Sequence, residues 1–468
     1  MLFTPQHAID ELGDEFADPV SAAPFPETIL RFRNDRAAAE IGLEDLDDAA
    51  WIRHFARFEP LPGAQPRPLA LRYHGHQFRV YNPEIGDGRG FLFAQMLDEN
   101  GRLMDLGTKG SGQTPYSRFG DGRLTLKGGV REILATEMLE ALGVETSRTF
   151  SLIETGEQLH RGDEPSPTRS AVMVRLNHGH IRIGIFQRLA YFQDTENLKR
   201  LTGYVLRHYY GEEAKDDAPQ RLLALVAERT ARLAGQFMAA GFVHGVLNSD
   251  NINVSGESFD YGPWRFAPTW DPGFTAAYFD HAGLYAFGRQ PEAIFWDVMQ
   301  LASSLRLICD EAPLVAAMDR FPAAYTREVT AAVLWRLGLK PRNPEQDRAL
   351  VQATERALTA SKAPLDRFYF DAFGGQLPQS YGEPFAELRG LLAGYEPRKP
   401  RDHPYWEDSE PCSMLIEEVE AIWSRIAEQD DWSPLNAKIA AIRRMGEALQ
   451  GSGDARHRWN EGRGEALA

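Results

Sequence analysis

The segment His244-Gly245-Val246-Leu247-Asn248-Ser249-Asp250-Asn251, followed by Asp260-Tyr261-Gly262, decides the predicted fold class of this chain. In kinase-like folds the catalytic loop places a proton-accepting Asp two residues after a His and a metal-binding Asn five residues after that Asp. A second metal-binding Asp opens a D-F-G triplet further along. Asn251 stands seven residues after His244, and Asp260 opens a triplet of this form. The segment therefore predicts a kinase-like nucleotide and metal site.

One position in this segment departs from the kinase pattern. Val246 stands where the proton-accepting Asp belongs, and a valine side chain cannot accept a proton. A different carboxylate, Asp250, directly precedes the metal-binding Asn251. The segment has kept the metal ligands and lost the usual base, which indicates nucleotide chemistry other than ordinary phosphorylation.

The composition of the 468-residue chain is that of an ordinary globular protein, with 43% hydrophobic and 25% charged residues. Its formal net charge of -16 opposes non-specific binding to nucleic acid and to anionic membranes. The N-terminus is acidic and lacks the apolar core of a signal peptide, and no run of about 18 apolar residues is present. We therefore expect a cytoplasmic protein without nucleic-acid or membrane partners.

The pattern of apolar and breaker residues divides the chain into four predicted segments. Residues 1–68 form an N-terminal extension that ends in a Pro-rich connector, and residues 69–190 are strand-like and rich in Gly. Residues 191–450 show the apolar spacing of long helices, whereas residues 451–468 lack apolar anchors and predict a flexible tail. A β-rich part followed by an α-rich part predicts an α+β protein with the two-lobe order of kinases.

Several elements stand out within these segments. Phe91–Met96 and Ser170–Val174 are strand candidates, and Val130–Leu142 has the apolar spacing of a helix in the otherwise strand-like part. Leu222–Ala240 and Ala293–Leu307 are amphipathic and long enough to be helices of a bundle.

Lys109 and Glu132 are candidates for a functional ion pair. Lys109 ends a strand-like stretch, and Glu132 follows 23 residues later in the predicted helix. A Lys that binds nucleotide phosphate needs a carboxylate to hold its flexible side chain. The alternative is a surface Lys and a surface Glu with no common role, and the metal motif downstream favours the functional pair.

Two G-D-G-R turns and two arginines could bind phosphate. Gly86–Gly90 and Gly120–Arg123 are Gly-rich turns that let backbone amides approach an anion, although a hairpin turn is the ordinary interpretation of each. Arg175 and Arg182 flank Asn177–His180, a predicted hairpin turn that would bring both side chains to the same end of a two-stranded ribbon. They are either a phosphate clamp or a pair of solvated strand charges.

Taken together, these residues resemble the selenoprotein O family of kinase-like protein adenylyltransferases. The matching stretches occur in order along the chain. They are Tyr73–Phe78, Gly86–Gly90, Lys109–Gly110, Thr114–Arg123, Arg131–Glu132, His244–Asn251, Phe259–Pro263 and Asp271–Phe274.

The resemblance implies a two-lobed kinase-like fold that binds ATP in a flipped orientation and transfers AMP to Ser, Thr or Tyr hydroxyls of proteins, releasing pyrophosphate. It implies that Asp250 is the proton acceptor and that Asn251 and Asp260 bind magnesium, or manganese, with Glu132 supporting Lys109. The nucleotide-binding residues that it implies are Gly86, Gly88, Arg89, Lys109, Asp121, Gly122, Arg175, Arg182 and Asp260.

Two other functions remain open. A kinase-like phosphotransferase would transfer the γ-phosphoryl group, and Val246 argues against it. A non-catalytic pseudokinase scaffold would bind nucleotide without reaction, and the intact Asp250, Asn251 and Asp260 argue against that one.

The sequence also departs from the family pattern. His74 and Arg79 stand where the family leads us to expect small residues, and the C-terminal third matches poorly. Many members carry a Cys or selenocysteine near the C-terminus, whereas the two cysteines here are Cys309 and Cys412, with no metal-ligand spacing. We therefore expect reduced thiols and no redox control. The protein substrates, the acceptor residue type and the oligomeric state are not encoded in any motif.

Overall fold

A nine-stranded antiparallel sheet forms the first part of the chain, in a computed structural model that describes residues 2–162 and 164–450. The strands are β1 Thr4–Gln6, β2 Ala17–Pro19, β3 Ile29–Arg33, β4 Leu69–Leu71, β5 Gly75–Gln77, β6 Val80–Asn82, β7 Leu92–Leu97, β8 Leu103–Lys109, β9 Leu124–Thr125, β10 Arg148–Leu159, β11 Thr168–Asn177, β12 Phe242–Val243 and β13 Arg265–Phe266. The sheet order is β2-β4-β7-β8-β11-β10-β3, with β1 on β7 and β9 on β11. Two small hairpins, β5-β6 and β12-β13, lie outside this sheet.

Helices dominate the chain after β11. The helices are α1 Asp35–Glu40, α2 Asp48–Phe55, α3 Leu126–Ala141, α4 Ile183–Tyr191, α5 Thr195–Tyr210, α6 Ala218–Ala240, α7 Gln290–Leu305, α8 Glu311–Met318, α9 Arg320–Arg336, α10 Pro344–Ser361, α11 Leu365–Ala372, α12 Ala386–Leu392, α13 Ile416–Gln429 and α14 Ser433–Gln450. Over the described part of the chain, none of them combines the length and apolar character that crossing a membrane requires.

The predicted α+β class is confirmed, with strands concentrated before residue 178 and most helices after it. The strand candidates Phe91–Met96 and Ser170–Val174 correspond to β7 and β11, and the helix predicted at Val130–Leu142 is α3. This helix begins earlier, at Leu126, because the Thr125 side chain accepts a hydrogen bond from the Gly128 amide and caps the first turn. The two-lobe arrangement stays a prediction.

Residues of the predicted N-terminal extension contribute to the core of the sheet. Strands β1, β2 and β3 all come from this segment, and helices α1 and α2 cover one face. The Trp51 ring stacks on Phe150 of β10 with centroids 4.8 Å apart, and its Nε1 donates to Ser151 Oγ at 2.9 Å. The segment is therefore packed as part of the sheet. The four-segment division stays a prediction, and residues 451–468 lie outside the described part.

The opposite face of the sheet packs on α3, whose buried residues include Leu134 and Met138. Helices α13 and α14 pack on the other side of α3, so this helix lies between the sheet and the C-terminal part of the chain. In the helical part α6 packs against α7, α8 and α9. Three parts of the chain meet at one site. They are the C-terminal end of β8, helix α3 and the segment between β12 and β13.

The packing of Trp51 generates a prediction about stability. Trp51→Ala should lower the free energy of unfolding by about 3–5 kcal/mol, because it removes a fully buried aromatic ring and its hydrogen bond. Arg53→Ala, on an exposed position of the same helix, is the control and should change it by less than about 0.5 kcal/mol. Equal unfolding midpoints for both variants in a urea titration would contradict an integral N-terminal segment.

Candidate functional site

The segment between β12 and β13 carries the motif that decided the fold class, and α7 anchors it. The His244 amide donates to Gln290 Oε1 at 3.0 Å, and Gln290 Nε2 donates to the Phe242 carbonyl at 2.7 Å. Burial lowers the pKa of His244, so its ring is neutral, and Nε2 donates to the Phe259 carbonyl at 3.0 Å. These bonds fix both ends of the loop that contains Asp250.

Lys109 lies between two carboxylates. Its Nζ is 2.5 Å from Glu132 Oε1 and 2.5 Å from Asp260 Oδ1. Burial acts to raise the pKa of Asp260, but the charges of Lys109, Arg175 and Arg89 outweigh it and hold this pKa well below the usual value. The predicted contact between Lys109 and Glu132 is therefore present, and Asp260 joins it as an ionised carboxylate.

Arg175 projects from β11, and two of its buried donors lack a hydrogen bond in the part of the chain that the structure describes. Its guanidinium lies over the Phe259 ring, 5.1 Å from the centroid, and Nη1 is 3.7 Å from Asp260 Oδ1. The buried Nε and Nη1 atoms make no hydrogen bond among the described residues. An unsatisfied buried guanidinium is costly, and an anion with paired oxygens would satisfy it.

Arg182, in contrast, is held by the protein. It donates to the Tyr73 hydroxyl at 3.2 Å, to the Asp250 backbone carbonyl at 3.1 Å and to Asp87 at 3.3 Å. Its guanidinium also lies over the ring of Tyr73, 4.6 Å from the centroid. Arg182 therefore positions the backbone of Asp250 as well as placing positive charge beside it.

The predicted hairpin turn at Asn177–His180 is wrong. Strand β11 ends at Asn177, and α4 begins at Ile183, so no second strand follows the turn. Gly179 adopts φ +87° and packs so closely on Tyr209 that a Cβ would lie 2.0 Å from the ring. This contact directs the chain into the helix. Arg182 reaches the site from the start of a helix rather than from the ribbon that we expected.

Asp250 is a buried carboxylate with an unused acceptor. It lies in a short 3-10 turn, Ser249–Asn251, and is 8% exposed. Its Oδ1 makes no hydrogen bond with any described residue. Burial raises the pKa of Asp250 to about 6, and the charge of Arg182 opposes the rise. The group is placed to take a proton from a ligand that enters the site.

Asn251 and Asp260 form a donor set suited to magnesium. The Asn251 side-chain nitrogen donates to the Val246 carbonyl at 3.1 Å, which leaves the amide oxygen as the ligand atom. Asp260, nine residues further along the same segment, supplies an ionised carboxylate. Within residues 2–162 and 164–450, no cluster of three or more His, Cys, Asp or Glu side chains could hold a metal ion. The set fits an ion that takes its other ligands from phosphate and water.

The first Gly-rich turn packs against residues 114–117, which precede the second turn. The Ser117 hydroxyl donates to the Gly88 carbonyl at 2.5 Å, and a Cβ on Gly86 would lie 2.5 Å from the Tyr116 ring. Gly122 adopts φ +69°, and a Cβ there would lie 2.2 Å from the Gly112 backbone. Gly86 and Gly122 are therefore required for close packing of each turn on its own neighbour, whatever ligand the backbone amides bind.

The charged side chains of Asp121 and Arg89 are exposed, and neither makes an ion pair with Lys109, Glu132 or Asp260 among the described residues. Asp121 is exposed, and burial, which would raise its pKa, is outweighed by Arg161, whose guanidinium lies 2.8 Å away. Arg89 is exposed and contributes positive charge toward Asp260 without a direct ion pair in the described residues. Neither side chain therefore lies in the buried part of the site.

Sequence reasoning missed four residues that shape the site. Asp87 lies inside the first G-D-G-R turn and Tyr73 opens one of the matching stretches, so both were within reach of the motif argument. Phe259 directly precedes Asp260, and its ring supports both arginines. Gln290 had no local signal, because its role depends on a contact that spans 46 residues.

The cysteines lie apart from this site. Cys309 and Cys412 are both free thiols. Burial raises the pKa of Cys412 to about 11, and burial also raises the pKa of Cys309. A thiol with a raised pKa is a poor nucleophile at neutral pH.

Comparison with known proteins gives one family. The family model described as Protein adenylyltransferase SelO matches residues 2–381. This chain is 42% identical over 474 residues to a protein nucleotidyltransferase YdiU of Synechocystis sp., covering 94% of this chain and 98% of that protein. It is 43% identical over 475 residues to one of Synechococcus elongatus, covering 94% and 95%. It is 36% identical over 390 residues to one of Azotobacter vinelandii, covering 82% and 78%.

Two of these alignments cover 94% of the chain and so extend into the C-terminal third, whose poor match to the family stays a prediction. The family model itself ends at residue 381.

The unsatisfied donors of Arg175 generate a prediction about ligand binding. Arg175→Lys keeps the positive charge but removes the planar pair of donors, so affinity for magnesium-ATP should fall about tenfold or more, at about 1.5–3 kcal/mol per charge-assisted contact. Titration calorimetry measures this change. Arg53→Lys, at an exposed position on α2, is the matched control and should leave the affinity within about threefold. Equal affinities in both variants would show that Arg175 does not bind the phosphates and has a structural role only.

Proposed function

Because the chain belongs to the protein adenylyltransferase SelO family, we propose that it transfers AMP from ATP to Ser, Thr or Tyr hydroxyls of proteins and releases pyrophosphate. Family membership gives nucleotidyl transfer as the reaction class. The observation that carries the finer proposal is the position of Asp250. It is a buried carboxylate with an unused oxygen next to Asn251, in a loop whose Val246 cannot act as a base.

In this proposal ATP binds in a flipped orientation, with its α-phosphate beside Asp250 and its β- and γ-phosphates toward Arg175 and Lys109. Lys109 and Arg175 support this orientation, because both lie next to Asp260, the expected metal ligand, and would stabilise the charge of pyrophosphate as it leaves. The exposed Arg89 adds a further positive charge. In a chain of net charge -16, such a local concentration of cations is suited to an anionic ligand.

The reaction follows from these positions. The acceptor oxygen attacks the α-phosphorus while Asp250 Oδ1 takes the hydroxyl proton. The bond between the α-phosphorus and its bridging oxygen to the β-phosphate breaks, and pyrophosphate departs with that electron pair. Arg182 holds the backbone of Asp250, so the base is fixed where the hydroxyl must enter. Magnesium or manganese, bound by Asn251 and Asp260, would neutralise phosphate charge.

The two ion pairs of Lys109 support the same proposal. Glu132 fixes the Lys109 ammonium from the helix side, and Asp260 fixes it from the loop side. The ammonium is therefore presented in one place, as a phosphate-binding cation must be. A kinase-like phosphotransferase would use this same pair, so only the fate of the phosphates separates the two reactions.

The first prediction concerns which part of ATP is transferred. Incubation with magnesium and ATP labelled at the α-phosphate should give protein-bound label, and ATP labelled at the γ-phosphate should give none, because Asp250 rather than residue 246 is the base. Stable γ-label without α-label would establish a phosphotransferase. Binding of ATP with neither label transferred to any protein would establish a nucleotide-binding scaffold.

The second prediction separates the base from the metal ligand with matched substitutions. Asp250→Asn should bind magnesium-ATP normally while transfer falls about 10²–10⁴-fold, because the amide cannot take a proton. Asp260→Asn should lose magnesium-dependent nucleotide binding, because it removes the charged ligand and the partner of Lys109.

Asp216→Asn, on an exposed position, is the control for both variants. Calorimetry gives the binding and α-label gives the transfer. Loss of magnesium-dependent binding in Asp250→Asn, to the same extent as in Asp260→Asn, would make Asp250 a metal ligand and assign proton transfer to another group.

A further inference from the structure

Two loops next to Asp250 expose aromatic side chains to solvent. Phe119 is 108% exposed on the loop of residues 114–121, and Tyr278 is 76% exposed on the loop of residues 271–286, next to the half-exposed Phe279. Exposed single apolar residues are ordinary on protein surfaces. Phe119 and Tyr278 differ from such scattered residues, because a short series of contacting residues connects each of their loops to Asp250.

The first loop reaches Asp250 through the Gly-rich turn. The Thr114 hydroxyl donates to the Asp87 backbone carbonyl at 2.5 Å, and the Asp87 carboxylate accepts a hydrogen bond from Arg182 at 3.3 Å. Arg182 in turn donates to the Asp250 carbonyl. Phe119 therefore stands on a loop that is braced against the same residues that position Asp250.

The second loop reaches Asp250 through the β5-β6 hairpin. The Phe279 ring packs on Phe78 with centroids 5.7 Å apart, and the Phe78 amide donates to Asn248 Oδ1 at 3.0 Å. The hairpin itself touches Asp250, because a Cβ added to Gly75 would lie 2.9 Å from the Asp250 Cβ. The two aromatic loops thus approach the same carboxylate through different neighbours.

We propose that Phe119 and Tyr278 are docking points for the acceptor polypeptide, and that preferred acceptors carry apolar side chains on both sides of the hydroxyl residue. The proposal rests on the proposed function, which requires a protein hydroxyl at Asp250. Any polypeptide that delivers this hydroxyl passes over the loops around Asp250, so their exposed rings meet the residues that flank it. Aromatic rings offer large apolar contact area at low entropic cost, which suits them to anchor such neighbours.

At the second loop, the chemistry of the surroundings favours an apolar contact over a charged one. Arg79, next to Phe78, is already paired with Glu292 at 3.3 Å and lies over Trp296. The ring of Tyr278 packs at 5.1 Å from Phe279, whose other neighbour is Phe78. The second loop therefore presents an aromatic cluster, and Arg79 beside it is already engaged.

The test uses two synthetic peptides of equal charge that differ only beside one central Ser, which is flanked by Leu in one peptide and by Gly in the other. With α-labelled ATP, the wild-type protein should modify the Leu-flanked peptide with a KM about tenfold or more below that for the Gly-flanked peptide, the discrimination expected when a Leu side chain is buried against an aromatic ring. The double variant Phe119→Ser, Tyr278→Ser should lose this discrimination while its affinity for magnesium-ATP is unchanged.

Val315→Ser, an exposed apolar position on α8, is the control and should keep the wild-type ratio. Equal KM values for both peptides with the wild-type protein would overturn the inference, and so would full discrimination by the double variant. A loss of self-association in the double variant, measured by sedimentation, with unchanged peptide kinetics would identify a second copy of the chain as the occupant instead. Absence of α-label on any peptide or protein with the wild type would overturn the proposed function first, and the inference with it.

Discussion

The buried ammonium of Lys109 connects the three parts of the chain that meet at the site. It stands at the end of β8 in the sheet, Glu132 comes from α3, and Asp260 comes from the loop between β12 and β13. A charge buried without a partner costs several kcal/mol, so each part requires the other two in place. Because Asp260 is also the expected metal ligand, the geometry of the sheet, the helix and the loop is coupled to the geometry of the metal site.

The C-terminal helices act on the same interaction through α3. Lys127 at the start of α3 pairs with Glu420 of α13 at 2.7 Å, and Arg443 of α14 pairs with Glu137 at 2.6 Å. Near the end of α3, a Cβ on Gly446 would lie 3.3 Å from Ala141, so α14 approaches the helix closely. The part of the chain that lacked any recognisable motif therefore holds the helix that carries Glu132. Its contribution is positional, which explains why no chemical pattern marks it in the sequence.

The contacts that could be predicted from the sequence share one property. They join residues that are close along the chain or that lie on a regular strand or helix. Asp250 and Asn251 lie in one short turn, and Lys109 and Glu132 lie on a strand and a helix whose existence the apolar pattern predicts. The hairpin before Arg182 failed because its outcome depends on distant packing against Tyr209, which local turn chemistry cannot show. Strands β1 to β3 were missed for the same reason, since very short strands owe their pairing to tertiary contacts.

Backbone strain is concentrated around Asp250. Of the eight described non-glycine residues with positive φ, four lie in the loops that surround it, namely Phe78, Arg79, Arg118 and Asp260. Each such conformation costs on the order of 1 kcal/mol, and it persists where neighbouring contacts hold it. The Phe78 amide bonds to Asn248, the Arg79 side chain pairs with Glu292, and Asp260 pairs with Lys109. Arg118 differs, because its side chain makes no hydrogen bond or ion pair within the described residues, although its charge acts on Asp250. Among the strained residues of the site, Arg118 therefore has the side chain with the least protein support, and it gains most from a bound anion or polypeptide.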